Sequence, residues 1–240
     1  MTDCNYISFD KRIVIFAGTY GSGKTEVAVN YAVQMAQHTQ DPISIIDLDI
    51  VNPYFRSREA ALEMEAFGIR PINPLGEQSH ADLPIIVPQI RASIESSSGR
   101  VIIDVGGDDL GARVLSSMHD AFETAQYEFL MVLNANRPFT STVDGALKMM
   151  HDIETSARLN FTGIVSNTHL IGETTPQTIL DGIKLAQTVS VRSGIPLVFA
   201  SGMDEVISQL DDKDVSVPLF SLSRRMLKPW EHSKTAVKNP

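Results

Sequence analysis

Cysteine is nearly absent from this chain. Of 240 residues only Cys4 carries a thiol, which excludes a disulfide framework or an all-cysteine metal site built within one chain. Long apolar runs are missing too: stretches such as 13–17 and 129–133 are far too short to span a bilayer. The opening "MTDCNYISFD" has neither the basic start nor the apolar run of a secretory leader. These absences lead to the expectation of a soluble cytoplasmic protein. Positive charge is in deficit, with 20 Lys and Arg against 29 Asp and Glu and a net charge of −9, which argues against a nucleic-acid backbone as partner. The six histidines, His38, His80, His119, His151, His169 and His232, include no H-x-x-H or H-E-x-x-H pair. No G-x-S-x-G elbow is present either, which disfavours an α/β-hydrolase.

What is present is an alternation of elements. Short β-branched runs occur at 12–18, 43–49, 100–107, 128–134, 161–167 and 196–201, with a further candidate edge strand at 217–222. Between them, helical periodicity covers 24–38, 56–67, about 84–97, 109–124, 140–158, 175–193 and 203–210. Strands that read as unbroken apolar runs are buried on both faces, the mark of a parallel sheet covered by helices. The expected fold is therefore α/β, a three-layer sandwich with a mostly parallel sheet. It forms a single domain over 1–222, followed by a basic tail over 223–240. The polar, Pro-rich stretch 70–84 reads as a surface crossover or a partner-docking insert.

Ligands of open α/β sheets bind beyond the carboxyl ends of the strands, and the first strand is followed there by "GTYGSGKT". Gly18, Gly23, Lys24 and Thr25 fall in the order G-x-x-x-x-G-K-T. In a strand–loop–helix context this is a phosphate loop: backbone N–H groups and a helix N-terminus cradle phosphate, Lys24 reaches the β- and γ-phosphates, and Thr25 ligates Mg²⁺. Two further strands end in acids. "IIDLDIVNP" supplies Asp47 and Asp49, and "VIIDVGGDD" supplies Asp104 followed by Gly106 and Gly107. Asp47 and Asp49 lie two apart, so on a strand both point the same way. Asp49 is the candidate for orienting or deprotonating an attacking water, with Asp47 supporting it or the metal and Asp104 holding the magnesium shell.

Together, "GTYGSGKT", "IIDLDIVNP", "IIDVGGD" and "GIVSNTH" resemble the SIMIBI class of P-loop NTPases, the branch that includes MinD, ParA and CooC. The resemblance implies phosphate binding on Gly18, Gly21, Ser22, Gly23, Lys24, Thr25 and Glu26, switch regions at 49–58 and 104–109, and an adenine-reading Asn167. Guanine readers of this kind use N-K-x-D; "NTHL" lacks both Lys and Asp, so ATP is favoured over GTP. His169, beside that asparagine, is a candidate lining residue. The class also implies a homodimer that sandwiches the nucleotide.

The departures are specific. The signature lysine of many members is replaced by Thr19, leaving Arg56 and Arg58 as candidate substitutes for a trans cation. With Cys4 alone, near the N-terminus, a bridged iron–sulfur cluster is not expected. The segment "LFSLSRRMLKPW" places apolar residues beside basic ones, which keeps membrane docking through the tail open. Pro229, however, cuts any helix short, and packing of Met226 and Trp230 on the domain is the ordinary alternative. The expected function is a Mg·ATP-dependent ATPase switch acting on a protein client, such as a metalloenzyme under assembly or activation. A non-hydrolysing ATP-binding adaptor and an ATP-dependent small-molecule ligase or kinase of the same fold are the alternatives.

Overall fold

The computed structural model describes residues 7–49, 58–72, 86–107, 109–211, 213 and 215–225. Among these residues eight strands form one sheet: β1 Ile13–Ala17, β2 Ile43–Leu48, β3 Ile69–Ile72, β4 Arg100–Val105, β5 Tyr127–Leu133, β6 Gly163–Ser166, β7 Leu197–Met203 and β8 Leu219–Leu222. Their order across the sheet is β3-β2-β4-β1-β5-β6-β7-β8, and every pairing is parallel. The helices are α1 Lys24–His38, α2 Arg58–Ala66, α3 Ile86–Glu95, α4 Asp109–Ser117, α5 His119–Thr124, α6 Val143–Ala157, α7 Pro176–Ser193 and α8 Asp204–Ile207. The expected α/β sandwich is what the chain forms.

Alternate residues of each strand serve opposite faces. Val14, Phe16, Ile45 and Ile102 pack with Val27, Tyr31 and Met35 of α1 and with Met64 of α2. Ile13, Ile15, Ile46, Ile103 and Met131 pack on the other face, with Ile90 of α3, Leu115 of α4, Phe122 of α5, Met150 of α6 and Ala186 of α7. Because the central strands are buried on both sides, they contain almost no polar residues until their carboxyl ends.

Local chemistry sets several boundaries. The Thr142 side chain accepts from Gly145 N to start α6. A Thr175–Thr178 capping box with Pro176 in the first turn starts α7, and Gly194 in the left-handed region ends it. Two differences from the sequence reading stand out. The stretch 109–124 is two helices, broken at Met118, which is fully buried with φ −115° and ψ 18°. Residues 69–72, expected at the start of a crossover, form edge strand β3; Pro71 is tolerated there because an edge strand leaves one row of N–H groups unused.

The expected tail begins with residues held on the domain. Ser223 and Asn30 exchange hydrogen bonds at 2.9 Å, and the Arg225 guanidinium pairs with Glu63 at 2.9 Å. Cys4, Arg56, the Arg58 side chain, most of the stretches 49–58 and 70–84, Asp108, Met226 and Trp230 lie outside what is described. Among the described residues, no helix is long and apolar enough to cross a membrane.

Candidate nucleotide site

The strand order reverses at β1, whose neighbours are β4 and β5. Crevices form where successive connections leave a sheet in opposite directions, and the Gly18–Thr25 loop occupies this one. The loop closes through Ser22 N donating to Thr19 O at 3.0 Å, and Val27 N donates to Gly23 O at 3.1 Å. Gly23 is left-handed, with φ 81°, and a Cβ there would lie 2.3 Å from Asn167 Nδ2. Only glycine serves at that position.

Lys24 and Asp49 meet across this crevice. Their side chains are 6% and 10% exposed, with Nζ 3.8 Å from Oδ2. Asp47 and Asp104 are register partners on β2 and β4, and alternation turns both toward the α1 face. The two acids of "DLD" do not lie side by side as equivalent carboxylates. Asp47 Oδ1 accepts the Asp49 backbone N–H at 2.9 Å, in a turn that carries the chain beyond the strand end.

Asp104 is 1% exposed, and neither of its carboxylate oxygens has a hydrogen-bond partner among the described residues. Burial raises its pKa to about 6, and Asp49 pushes the same way, against the pull of the Lys24 ammonium and the nearby Thr25 hydroxyl. The hydroxyls of Thr19 and Ser22 are buried without partners as well. Gly107, after β4, comes close enough to the phosphate loop that a Cβ would lie 2.5 Å from Tyr20 N.

Asn167 lies behind the loop. Its Nδ2 donates to Ser22 O at 2.8 Å, and its Oδ1 accepts from Ser201 Oγ at 3.1 Å. It thus ties the phosphate loop to the ends of β6 and β7. Each of its polar atoms keeps one unused valence, an N–H and a lone pair. A cavity of about 220 Å³ opens beside it, lined by Gly23, Glu26, Asn167, His169, Met203, Leu222 and Arg224 among others. The Glu26 carboxylate on this wall is engaged, accepting from Asn30 Nδ2 and the Arg225 backbone N–H.

Three contributors were missed in the sequence. Arg137 Nε donates to Gly21 O at 2.7 Å, and Asn134 Nδ2 reaches the same carbonyl at 3.4 Å. Ser201 is the third. Asn134 and Arg137 follow β5 and Ser201 lies in the second half of β7, all toward the carboxyl edge, but no familiar motif marks them.

A divalent cation fits the phosphate side. An orphaned buried carboxylate beside a hydroxyl is an oxygen donor set of the kind Mg²⁺ takes together with phosphate oxygens. Among the described residues no cluster of three His, Cys, Asp or Glu side chains forms a metal cage without a ligand.

No protein-family model matches this chain, and no curated protein matches it by sequence. Solved structures do match in fold. FtsY from Mycoplasma mycoides superposes with a TM-score of 0.51 at 19% identity, over 81% of this chain and 62% of that one. The cell division protein FtsY from Thermotoga maritima gives 0.50 at 22% identity, over 83% and 64%. Chloroplast FtsY from Physcomitrella patens gives 0.50 at 14% identity, over 83% and 61%. The chain spans just under two thirds of the length of these structures. At such identities the likeness establishes the fold, a P-loop NTPase-like α/β sheet, and nothing finer.

Proposed function

We propose that the chain is a Mg·ATP-dependent nucleotide switch that hydrolyses ATP to ADP and phosphate and signals the nucleotide state to a protein client. The observation that carries this reading is the juxtaposition of a left-handed glycine loop, a buried Lys24 and the orphaned Asp104 carboxylate in one crevice. Buried polar groups normally have partners, and a magnesium-bound phosphate chain supplies them here. Backbone amides of Gly21–Thr25 with Gly18 behind them hold the phosphates, Thr25 and Asp104 hold the metal shell, and Asp47 fixes the turn that carries Asp49.

Lys24 is paired with Asp49 in the ligand-free state. On ATP binding, the ammonium exchanges this carboxylate for the β- and γ-phosphates, which frees Asp49 to accept a proton. Water then attacks the γ-phosphorus, its proton passes to Asp49, and the bond from that phosphorus to the β–γ bridging oxygen breaks, leaving the electron pair on ADP. Magnesium, when bound, neutralises charge on the β- and γ-oxygens.

Three features support the finer assignments. Leu170 stands where a guanine-reading motif has its aspartate, and Asn167 keeps a free donor and acceptor for an adenine edge, which favours ATP. Gly107 rests on the phosphate-loop backbone, so the loop after β4 is placed to move when a γ-phosphate enters. Tyr20, Phe139, Leu170 and Ile171 are exposed at 76%, 68%, 47% and 62% around the carboxyl edge. Exposed apolar side chains gathered at one edge mark a contact surface, and a homodimer across the nucleotide fits it.

The test is titration calorimetry with Mg·ATP, Mg·GTP and nucleotide without magnesium, followed by phosphate release. Tight magnesium-dependent ATP binding, with release lost in Lys24→Ala and Asp49→Ala, is the expected result. Absence of affinity for either nucleotide ends the proposal. Binding without release, alone or with partners, favours the adaptor, a second reading motivated by Thr19 in place of the signature lysine.

A further inference from the structure

Turning backbone N–H groups toward one concavity turns carbonyls away from it, and those carbonyls need donors of their own. Four can be followed in the loop between β1 and α1. Thr19 O accepts from Ser22 N at 3.0 Å, and Gly23 O accepts from Val27 N at 3.1 Å. Ser22 O accepts from Asn167 Nδ2 at 2.8 Å. Gly21 O differs from these three. It accepts from Arg137 Nε at 2.7 Å, with Asn134 Nδ2 at 3.4 Å, and so is the one of the four held by a charged donor.

The charge is delivered there by a tightly bonded turn. Asn134 and Thr140 are fully buried. Arg137 N donates to Asn134 O at 3.1 Å, Thr140 N to Arg137 O at 3.0 Å, and Thr140 Oγ1 to Asn134 O at 2.7 Å. The guanidinium stands against the loop itself: a Cβ on Gly21 would lie 2.8 Å from Arg137 Nε and 2.9 Å from its Cζ. Lys24, Arg91, Arg100, Arg192 and Arg225 each pair with a carboxylate. Among the described residues Arg137 pairs with none, and Gly21 O is the acceptor its side chain has. Burial first and the Arg137 charge second lower the His169 pKa, so this charge is felt along the back of the loop.

What the cation does there follows from the peptide it grips. Glycine accepts either orientation of the Gly21–Ser22 peptide. A flip would turn the Gly21 carbonyl toward the crevice, where it would repel a phosphate. Arg137 opposes the flip, because a charged donor bonds roughly twice as strongly as a neutral one. It also polarises the peptide, which strengthens the bond from Ser22 N to Thr19 O at the peptide's other end. One peptide is thus held at both ends, and the loop is closed around it.

We propose that Arg137 is a positioning residue for the phosphate loop: its charged Nε–H holds the Gly21 carbonyl turned outward, so that the loop amides stay directed at a bound polyphosphate. This rests on the reading of the crevice as a nucleotide site and deepens it. Arg137 acts through the Gly21 peptide and touches no ligand, so its effect falls on the phosphates whatever base they carry.

The experiment is calorimetry on the full chain with Mg·ADP and Mg·tripolyphosphate, using the wild type, Arg137→Met and Arg137→Lys, with a ligand-free melting curve for each. Loss of one charge-assisted hydrogen bond predicts about tenfold weaker binding of both ligands alike in Arg137→Met. Arg137→Lys, which keeps a cationic donor of similar reach, recovers affinity to within about threefold of the wild type. Carbon-13 NMR of the Gly21 carbonyl reads the bond directly: its resonance moves upfield in Arg137→Met and returns in Arg137→Lys. A role confined to general stability would shift the melting curve and leave that carbonyl where it was.

Unchanged tripolyphosphate affinity in a folded Arg137→Met, a loss for ADP alone, a Lys variant as weak as Met, or an unmoved Gly21 carbonyl each overturns the assignment. A wild type that binds neither ligand removes the underlying reading of the site, and this one with it. Normal wild-type binding that Met leaves untouched removes this one alone.

Discussion

The two ends of the candidate site solve opposite problems. At the phosphate end, beyond β1, β2 and β4, the protein leaves charge and polarity unpaired: both Asp104 oxygens and the hydroxyls of Thr19 and Ser22 are buried without partners. At the proposed nucleoside end, beyond β5, β6 and β7, polar side chains are mostly engaged: Asn167 with the Ser22 carbonyl and the Ser201 hydroxyl, Arg137 and Asn134 with the Gly21 carbonyl. Among the described residues, Ser166 Oγ and His169 Nε2 are the exceptions. On the proposed reading, the first end holds unpaired charge that a bound phosphate and cation would relieve, and the second is a hydrogen-bonded frame around the loop. Binding energy and stability should therefore respond differently to substitutions at the two ends.

The largest effect belongs to the phosphate end. Lys24→Ala removes the cation for the phosphates and leaves Asp49 without it, so affinity for Mg·ATP should fall about 100-fold or more, as calorimetry would show. Equal affinity in the variant would place the phosphates elsewhere.

Asp104→Asn sharpens the contrast, since it should harm function and help the ligand-free fold. Its native pKa is raised from 3.8 to about 6, so the native state binds a proton more tightly than the unfolded chain. As pH rises through this window the native carboxylate ionises at a cost, and stability falls; above about 6 the whole penalty is present. A shift of this size corresponds to about 3 kcal/mol. Melting curves in EDTA should show Asp104→Asn gaining stability over the wild type between pH 4 and 6 and holding the gain at pH 7, while magnesium-dependent ATP binding is lost. A variant less stable than the wild type at pH 7 would mean that Asp104 is satisfied in some other way.

Much of the phosphate end was legible in the sequence because its chemistry is concentrated in consecutive residues. A loop proposed to turn N–H groups inward uses glycine, and a strand tip proposed to hold a cation uses aspartate. The nucleoside end is assembled from single residues on separate loops. Asn134, Arg137 and Ser201 converge only after β5, β6 and β7 are set side by side, and no local spacing announces that. The fold was readable for a similar reason: buried parallel strands are written as apolar runs. Edge strand β3 was not readable, since four residues with a proline carry too little pattern. Nor was the break at Met118, where the helical periodicity continues across it. The paired acids show where spacing misleads: Asp47 and Asp49 point the same way only while the strand continues, and it stops at Leu48.

The nucleoside frame can be broken at its strut. Asn167→Ala removes bonds to Ser22 O and Ser201 Oγ in a site 2% exposed, leaving both partners unsatisfied. A loss of about 2 kcal/mol in denaturant unfolding is expected, along with weaker binding of ATP and ADP alike. If only ATP binding suffers, the asparagine acts through the phosphates and the division between the two ends fails.

The smallest effect tests whether the frame itself contains strain. Ile171 at φ 54° is a β-branched residue in left-handed backbone, which costs on the order of 1–3 kcal/mol. Its side chain is 62% exposed and returns little by burial. Ile171→Gly removes the strain but adds freedom to the unfolded chain, an opposing effect of about 0.5–1 kcal/mol. The net is a gain of about 1 kcal/mol, or roughly 2–4 °C for a chain of this size. If the strain exists only to wall the cavity, which Ile171 lines, the same substitution weakens ADP binding about threefold to fivefold, because a glycine turn no longer holds that wall. A variant that melts later and binds ADP as well as the wild type would show that the strained turn serves the fold and not the ligand.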